Sequence, residues 1–244
     1  MLALGLLALT AILLVGLTLL RRRSPASLRL IEAYQRLNRS VGLAVENGTR
    51  LHISLGRGNF ISARGGSALA GLAMLRRLAE RTSLSDRPPI VTSGDASLAI
   101  LSQDTLQSGY RAAGAEDQYR FTTGRLAGLT PFSYAAGTLS TIHDENVSAN
   151  IVIGDLGTES GLLAEAADRE DTNLIAASDD LSAQSVFFAS AQEPLIGEEL
   201  FAAGAYVGAG ASHEASLHVQ DILRWLIILA ILLGSLLKIV GAPI

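Results

Sequence analysis

Two apolar runs bracket this chain, and they constrain it more than anything between them. "MLALGLLALTAILLVGLTLL" opens the sequence without a charge, and residues 2–20 are apolar or nearly so. As a helix rising about 1.5 Å per residue, such a run nearly spans a hydrocarbon core of about 30 Å. "WLIILAILLGSLLKIVGAPI" closes the chain from Trp225, with Ser235 and Lys238 as its polar residues. Lys238 lies near the end, where a long side chain can snorkel to headgroups, and Arg224 and Trp225 stand at the other end as interface anchors. The sequence predicts one transmembrane helix at each terminus, residues 1–20 and 225–244. A cleaved signal peptide is the alternative for the first run. It requires a basic segment before the apolar run, whereas Arg21, Arg22 and Arg23 follow it.

Those arginines also set sidedness. Basic residues flanking a span stay in the cytoplasm, and Arg21–Arg23 and Arg224 together put the intervening segment there with both termini outside. Lys238 argues weakly the other way. The chain has no cysteine, which agrees with a reducing compartment without requiring one. The expected location is the bacterial inner (cytoplasmic) membrane.

The remaining 200 or so residues suffice for a single core. Their charge is polarised. From Arg21 to Arg81 there are twelve arginines against three acids, and from Asp144 to Asp221 fifteen acids against one arginine. Either the halves pair within one fold, or the basic half meets anionic lipid or the acidic half of another copy. Nucleic acid is not an expected partner, because the basic residues are interleaved with apolar helix positions and no nucleic-acid motif accompanies them.

Between the spans, strand patterns alternate with helix patterns. Residues 21–48 read as a basic juxtamembrane helix starting at Ser24-Pro25. "TRLHISLG" alternates like a strand with one buried face. "GGSALAGLAMLRRLAERTSL" is helical with a small face at Ala68 and Gly71. "PPIVTSGDASLAILSQDTLQSGYRAAG" is a strand, turn and helix. "FSYAAGTLSTIHDENVS" is compatible with strand or helix. Residues 150–153 form a strand, followed by the turn Gly154–Gly157 and a helix from about Thr158. "TNLIAASDD" is another strand, and "SAQSVFFASAQ" and "PLIGEELFAAGAYVG" read as helices. Residues 213–224 continue as a connecting helix into the second span. The alternation predicts an α/β domain over 49–212 with a mostly parallel sheet flanked by helices.

Candidate ligand residues fall at two strand-end turns, Ser93-Gly94-Asp95 and Gly154-Asp155-Leu156-Gly157, the second followed by Glu159. Glycines at 154, 157 and 161 do not have the spacing of the dinucleotide fingerprint, and there is no Gly-Lys-Ser/Thr phosphate loop. Asp155 and Glu159 would also repel an anion. A structural glycine corner and a polar small-ligand site at the strand ends remain the two readings. Asp95 suits a helix N-cap, and "SGDAS" lacks the central serine of a nucleophile elbow. His143-Asp144-Glu145 are too close in sequence to converge on a metal, and the histidines of "HEASLH" are five apart, off one helix face. No metal or cofactor is expected. Glu198 and Glu199 sit in an apolar surround that favours burying one of them beside an arginine.

The segments "GDASLAILSQDTLQSGYRAAG", "PLIGEELFAAGAYVG" and "QDILRWLIILAIL" resemble an uncharacterised family of bacterial two-span membrane proteins, a domain of unknown function. The resemblance covers almost the whole chain. It implies that the two-anchor layout is the ordinary form, and it implies no activity or catalytic residues.

Small residues in both spans (Gly5, Ala8, Gly16, Gly234, Ser235) permit close helix packing. With the polarised charge, they lead to the expectation of a membrane-anchored homo-oligomeric scaffold whose partners are the bilayer and further copies of itself. Arg76, Arg77, Glu198 and Glu199 are its candidate contacts. The alternative is a tethered small-ligand-binding or sensory module using the two strand-end turns. An enzyme is the third possibility.

Overall fold

A computed structural model describes residues 2–24, 27–59 and 65–239. The chain divides into two compact units, one spanning Arg29–Ala209 and one made of the two terminal segments.

In the terminal unit, α1 (Leu2–Arg23) lies against α9 (Ala211–Ile239). Both are long and apolar enough to cross a membrane, by length and composition, and their apolar windows are not buried within the chain. The basic cluster Arg21–Arg23 forms the last turn of α1, where cations complement the helix dipole. The Arg21 guanidinium donates to His218 Nε2 at 2.9 Å, which leaves His218 Nδ1 to donate to the Glu214 carbonyl one turn back, also at 2.9 Å. The connecting segment and the second apolar run form one continuous helix, so Arg224 and Trp225 lie inside α9, and Lys238 is in its last turn.

The larger unit starts with α2 (Glu32–Glu46) and then alternates β1 (Arg50–Gly56), α3 (Gly65–Thr82), β2 (Ile90–Ser93), α4 (Ala96–Ala112), β3 (Gly124–Leu126), α5 (Pro131–Asp144), β4 (Val147–Asp155), α6 (Ser160–Arg169), β5 (Asn173–Ser178), α7 (Leu181–Ser190) and β6 (Glu193–Leu195), ending in the short α8 (Ala203–Tyr206). The strands form one sheet in the order β3-β2-β1-β4-β5-β6, every neighbouring pair parallel. The fold is thus α/β, a parallel sheet flanked by helices, with an apolar helix at each end of the chain. The chain leaves β3 at one edge and restarts at β4 beside β1, so the winding reverses between β1 and β4.

One face of the sheet presents Leu51, Ile53, Leu55, Val91, Ile151, Ile153 and Ile175 to a core completed by α2, α3 and α4. The other presents Val152, Leu174 and Ala176 to Tyr134, Leu163 and Phe187 of α5, α6 and α7. The small face of α3 does what its sequence suggested. A Cβ on Gly71 would lie 3.0 Å from Leu55 and 3.4 Å from Ile153, so the helix packs close over β1 and β4.

Several elements differ from the sequence reading. The first strand is buried on both faces, because it is central and both faces carry helices; His52 and Ser54, expected on a solvent face, are fully buried. The basic helix does not start at the arginine cluster. Residues 27–31 are not helical, and α2 begins at Glu32, with Ala33, Tyr34, Leu37, Val41 and Ala44 in the main core. The expected first turn at Ser24-Pro25 falls partly outside the described residues. The ambiguous stretch at 132–148 is mostly helix α5. Its start signal is Thr130-Pro131, where the Thr130 hydroxyl accepts from Ser133 N in a capping box and Pro131 takes the first turn. "PLIGEELFAAGAYVG" is not one helix. Pro194 sits in the edge strand β6, where a missing N–H is tolerated, and Gly197–Ala202 form a 3-10 turn before α8. The short edge strand β3 had no signal of its own.

Candidate functional site

The reversal of winding gathers both predicted turns at one end of the sheet. β2 and β4 flank β1, so Ser93-Gly94-Asp95 and Gly154-Asp155-Leu156-Gly157 stand on either side of the turn after β1, Gly56-Arg57-Gly58. Backbone bonds tie the three strand ends together. Gly94 N donates to the Gly56 carbonyl at 2.8 Å, and Arg57 N donates to the Asp155 carbonyl at 2.9 Å. The crevice at such a reversal is where open parallel sheets take ligands.

The glycines here serve close approach. Gly56 (φ +71°) and Gly154 (φ +145°) adopt backbone conformations that side chains rarely tolerate, and each abuts the other's strand end. A Cβ on Gly58 would lie 2.8 Å from Asp155 Cβ. A Cβ on Gly94 would collide with Arg57 Cγ, so the aliphatic stem of Arg57 lies directly over that glycine.

Arg57 is the residue that sequence reasoning missed. Its Nε donates to Glu159 Oε1 at 2.5 Å. The Glu159 side chain is 0% exposed and that of Arg57 27% exposed. Glu159 occupies the N-cap position of α6 without capping it; its carboxylate pairs with Arg57 instead. Its second oxygen, Oε2, has no hydrogen-bond partner, and the buried hydroxyls of Ser93 and Ser160 have none either. The missing side chain of Gly157 lets the loop pass close to that oxygen, since a Cβ there would lie 3.2 Å from Oε2 and 3.8 Å from the Arg57 guanidinium. The readable signal was "LGRGN", a Gly-x-Gly directly after the first strand. Its third fingerprint position holds Ile61 instead of glycine.

The whole chain, residues 1–244, matches the model of a family described as Domain of unknown function (DUF6754). The chain belongs to this family. No curated protein and no solved structure matches it.

Beneath the crevice of this DUF6754 chain, the face of β1, β2 and β4 that meets α5 is polar. His52 Nδ1 lies 2.5 Å from Asn150 Oδ1 and Nε2 lies 2.8 Å from Thr92 Oγ1. An amide oxygen only accepts, so Nδ1 carries the proton and Nε2 accepts from Thr92. Tyr134 Oη stands 2.5 Å from Ser54 Oγ and accepts from Gly56 N at 3.2 Å. This seam links the middle of the sheet to the crevice floor. Burial pushes the His52 pKa down from 6.5 to about 4 and raises that of Tyr134 above its ordinary value.

The other candidate residues have local roles. Asp95 N-caps α4, its carboxylate accepting from Leu98 N at 3.0 Å. Arg76 and Arg77 both pair with Glu80 of their own helix. Glu199 pairs with Arg29, the partly buried arginine-linked carboxylate expected of that acidic pair, while Tyr34 Oη donates to the Glu199 carbonyl at 2.6 Å. Arg76 and Arg77 lie on α3, and Glu198 and Glu199 in the 3-10 turn before α8. Arg29–Glu199, Arg36–Glu193, Arg50–Glu145 and Arg57–Glu159 join the basic and acidic halves within one chain. His143 pairs with Glu170 at 2.7 Å, and its neighbour Glu145 with Arg50 and Arg125. Among the described residues, no three His, Asp or Glu are grouped as metal ligands would be.

Proposed function

We propose that this chain is a membrane-tethered module that binds a small ligand in the crevice between the ends of β1 and β4. One observation carries the reading: three buried polar atoms without partners, Ser93 Oγ, Glu159 Oε2 and Ser160 Oγ, lie at the strand ends where the winding reverses. An unpaired buried polar atom costs about 1–3 kcal/mol, and such costs gather where a ligand or water completes the bonding. The two apolar terminal helices anchor the module, and the Arg21–Arg23 cluster keeps it on the cytoplasmic face with both termini outside. A thermal-shift screen of metabolites against the detergent-solubilised chain tests this. A ligand should raise the melting temperature of the wild type and lose its effect in Gly157→Ala, whose added methyl crowds Glu159 Oε2. A screen in which every hit acts equally on the variant removes the proposal.

A homo-oligomeric scaffold is the second reading. It is favoured by the apolar side chains beside the short edge strand β3: Phe121 (71% exposed), Leu126, Leu129 and Phe132 (73% exposed). A charge-driven head-to-tail contact loses support, since the two halves pair internally. Particle mass in mild detergent decides it. A single large assembly that Phe121→Ser/Phe132→Ser breaks down supports the scaffold, and a monomer excludes it.

A further inference from the structure

The Arg57–Glu159 pair is unequal in a way that specifies a ligand. Glu159 is sealed from water, whereas Arg57 reaches the surface. If the pair is separated, the arginine can rehydrate by swinging outward on its aliphatic stem. The carboxylate cannot, and an unpaired buried charge is strongly unfavourable. An anion that draws Arg57 away therefore strands Glu159. A cation that takes Arg57's place strands nothing.

We infer that the crevice takes a small organic cation, an alkylguanidinium or alkylammonium, which replaces the Arg57 guanidinium on Glu159. This rests on the ligand-binding reading above and names its ligand class. The chain's own side chain shows the shape that fits: an alkyl stem lying over Gly94 with a planar cation at its end, donating to Glu159. Arg57 uses one carboxylate oxygen. An incoming guanidinium can engage both, because such a group donates in a fork that matches a carboxylate. The second oxygen is unbonded and lies close to Gly157, where a side chain would crowd it. The unpartnered hydroxyls of Ser93 and Ser160 offer further acceptors at the strand ends. Because the ligand competes with an internal group, its affinity for the wild type is reduced by the fraction of molecules in which Arg57 has swung out.

The test is chemical rescue in the full chain. Arg57→Ala removes the internal cation and leaves its seat empty over Gly94. Ethylguanidinium at millimolar concentration should raise the melting temperature of Arg57→Ala along a saturating curve. In Arg57→Ala/Glu159→Gln the apparent affinity should fall at least about tenfold, the consequence of losing one charge-assisted contact. Inorganic phosphate should not saturate in either. In case Arg57→Ala does not fold, agmatine titrated calorimetrically into the wild type and into Glu159→Gln gives the same answer, with binding lost in the variant. Equal rescue with and without the Glu159 carboxylate overturns the inference, as does stabilisation by phosphate but not by ethylguanidinium. A screen ligand that is anionic or neutral yet sensitive to Gly157→Ala would leave the crevice as a binding site and overturn only its cation selectivity. Saturable rescue by ethylguanidinium that needs the carboxylate supports both.

Discussion

Acidification should expose the buried polar seam. His52 is fully buried and bonded on both ring nitrogens as a neutral imidazole, with a pKa pushed down to about 4. In the unfolded chain it titrates near 6.5. The folded value is the lower one, so the unfolded state binds more protons between these two values, and stability falls as the pH drops. The stabilisation is complete above about pH 6.5 and gone below about pH 4. Between pH 7 and pH 5 the linkage relation gives a loss of about 2 kcal/mol. For a unit of this size that lowers the melting temperature by roughly 4–8 °C. The assay is calorimetric melting of the wild type and of His52→Gln, which keeps one donor and one acceptor but cannot charge. His52→Gln should be less stable at pH 7, since an amide cannot copy the imidazole geometry, but its melting temperature should fall less between pH 7 and pH 5. The carboxylates and the other histidines are common to both proteins and cancel in the difference. Equal falls in the two proteins would refute the assignment of His52 as a buried neutral group.

Three further outcomes are expected. Gly94→Ala should displace the Arg57 stem and separate it from Glu159, costing about 2–4 kcal/mol once the partial exposure of Arg57 is allowed for, read as a lower denaturant midpoint. Asp95→Ala should remove the N-cap of α4 and cost about 1 kcal/mol in the same measurement, without changing particle size. Arg76→Glu/Arg77→Glu should leave particle mass unaltered, because both arginines are committed to Glu80 on an exposed helix face; a change in mass would return them to the role of subunit contacts.

Much of the fold was legible because its signals are local. The helix over Gly65–Thr82, the strand at Ile90–Ser93, the Asp95 cap and the run of α9 into the closing apolar segment all follow from periodicity and capping within a window of a few turns. The misreadings came where tertiary position overrode pattern. Period-2 alternation in β1 suggested a solvent face, but a central strand covered on both sides buries His52 and Ser54, and the structure accommodates them by pairing them with Asn150, Thr92 and Tyr134. The apolar richness of residues 194–208 suggested a helix, but an open sheet edge beside β5 recruited Glu193–Leu195 as a strand.

The candidate site shows the same division. From the sequence alone came the two Gly-Asp turns, the awkwardness of Glu159 beside a phosphate, and the apolar ends of the chain. Only the tertiary structure decided that β2 and β4 flank β1, which brings residue 57 against residue 159 across 102 positions of sequence. The physical reason is that strand pairing is non-local. A strand's own residues specify that it will pair, but its neighbours, and with them how many of its faces are covered, are set by how the whole set of helices and strands packs with least exposed apolar surface. Arg57 has no signal within its own segment, because the buried carboxylate that gives it meaning lies on another strand's turn.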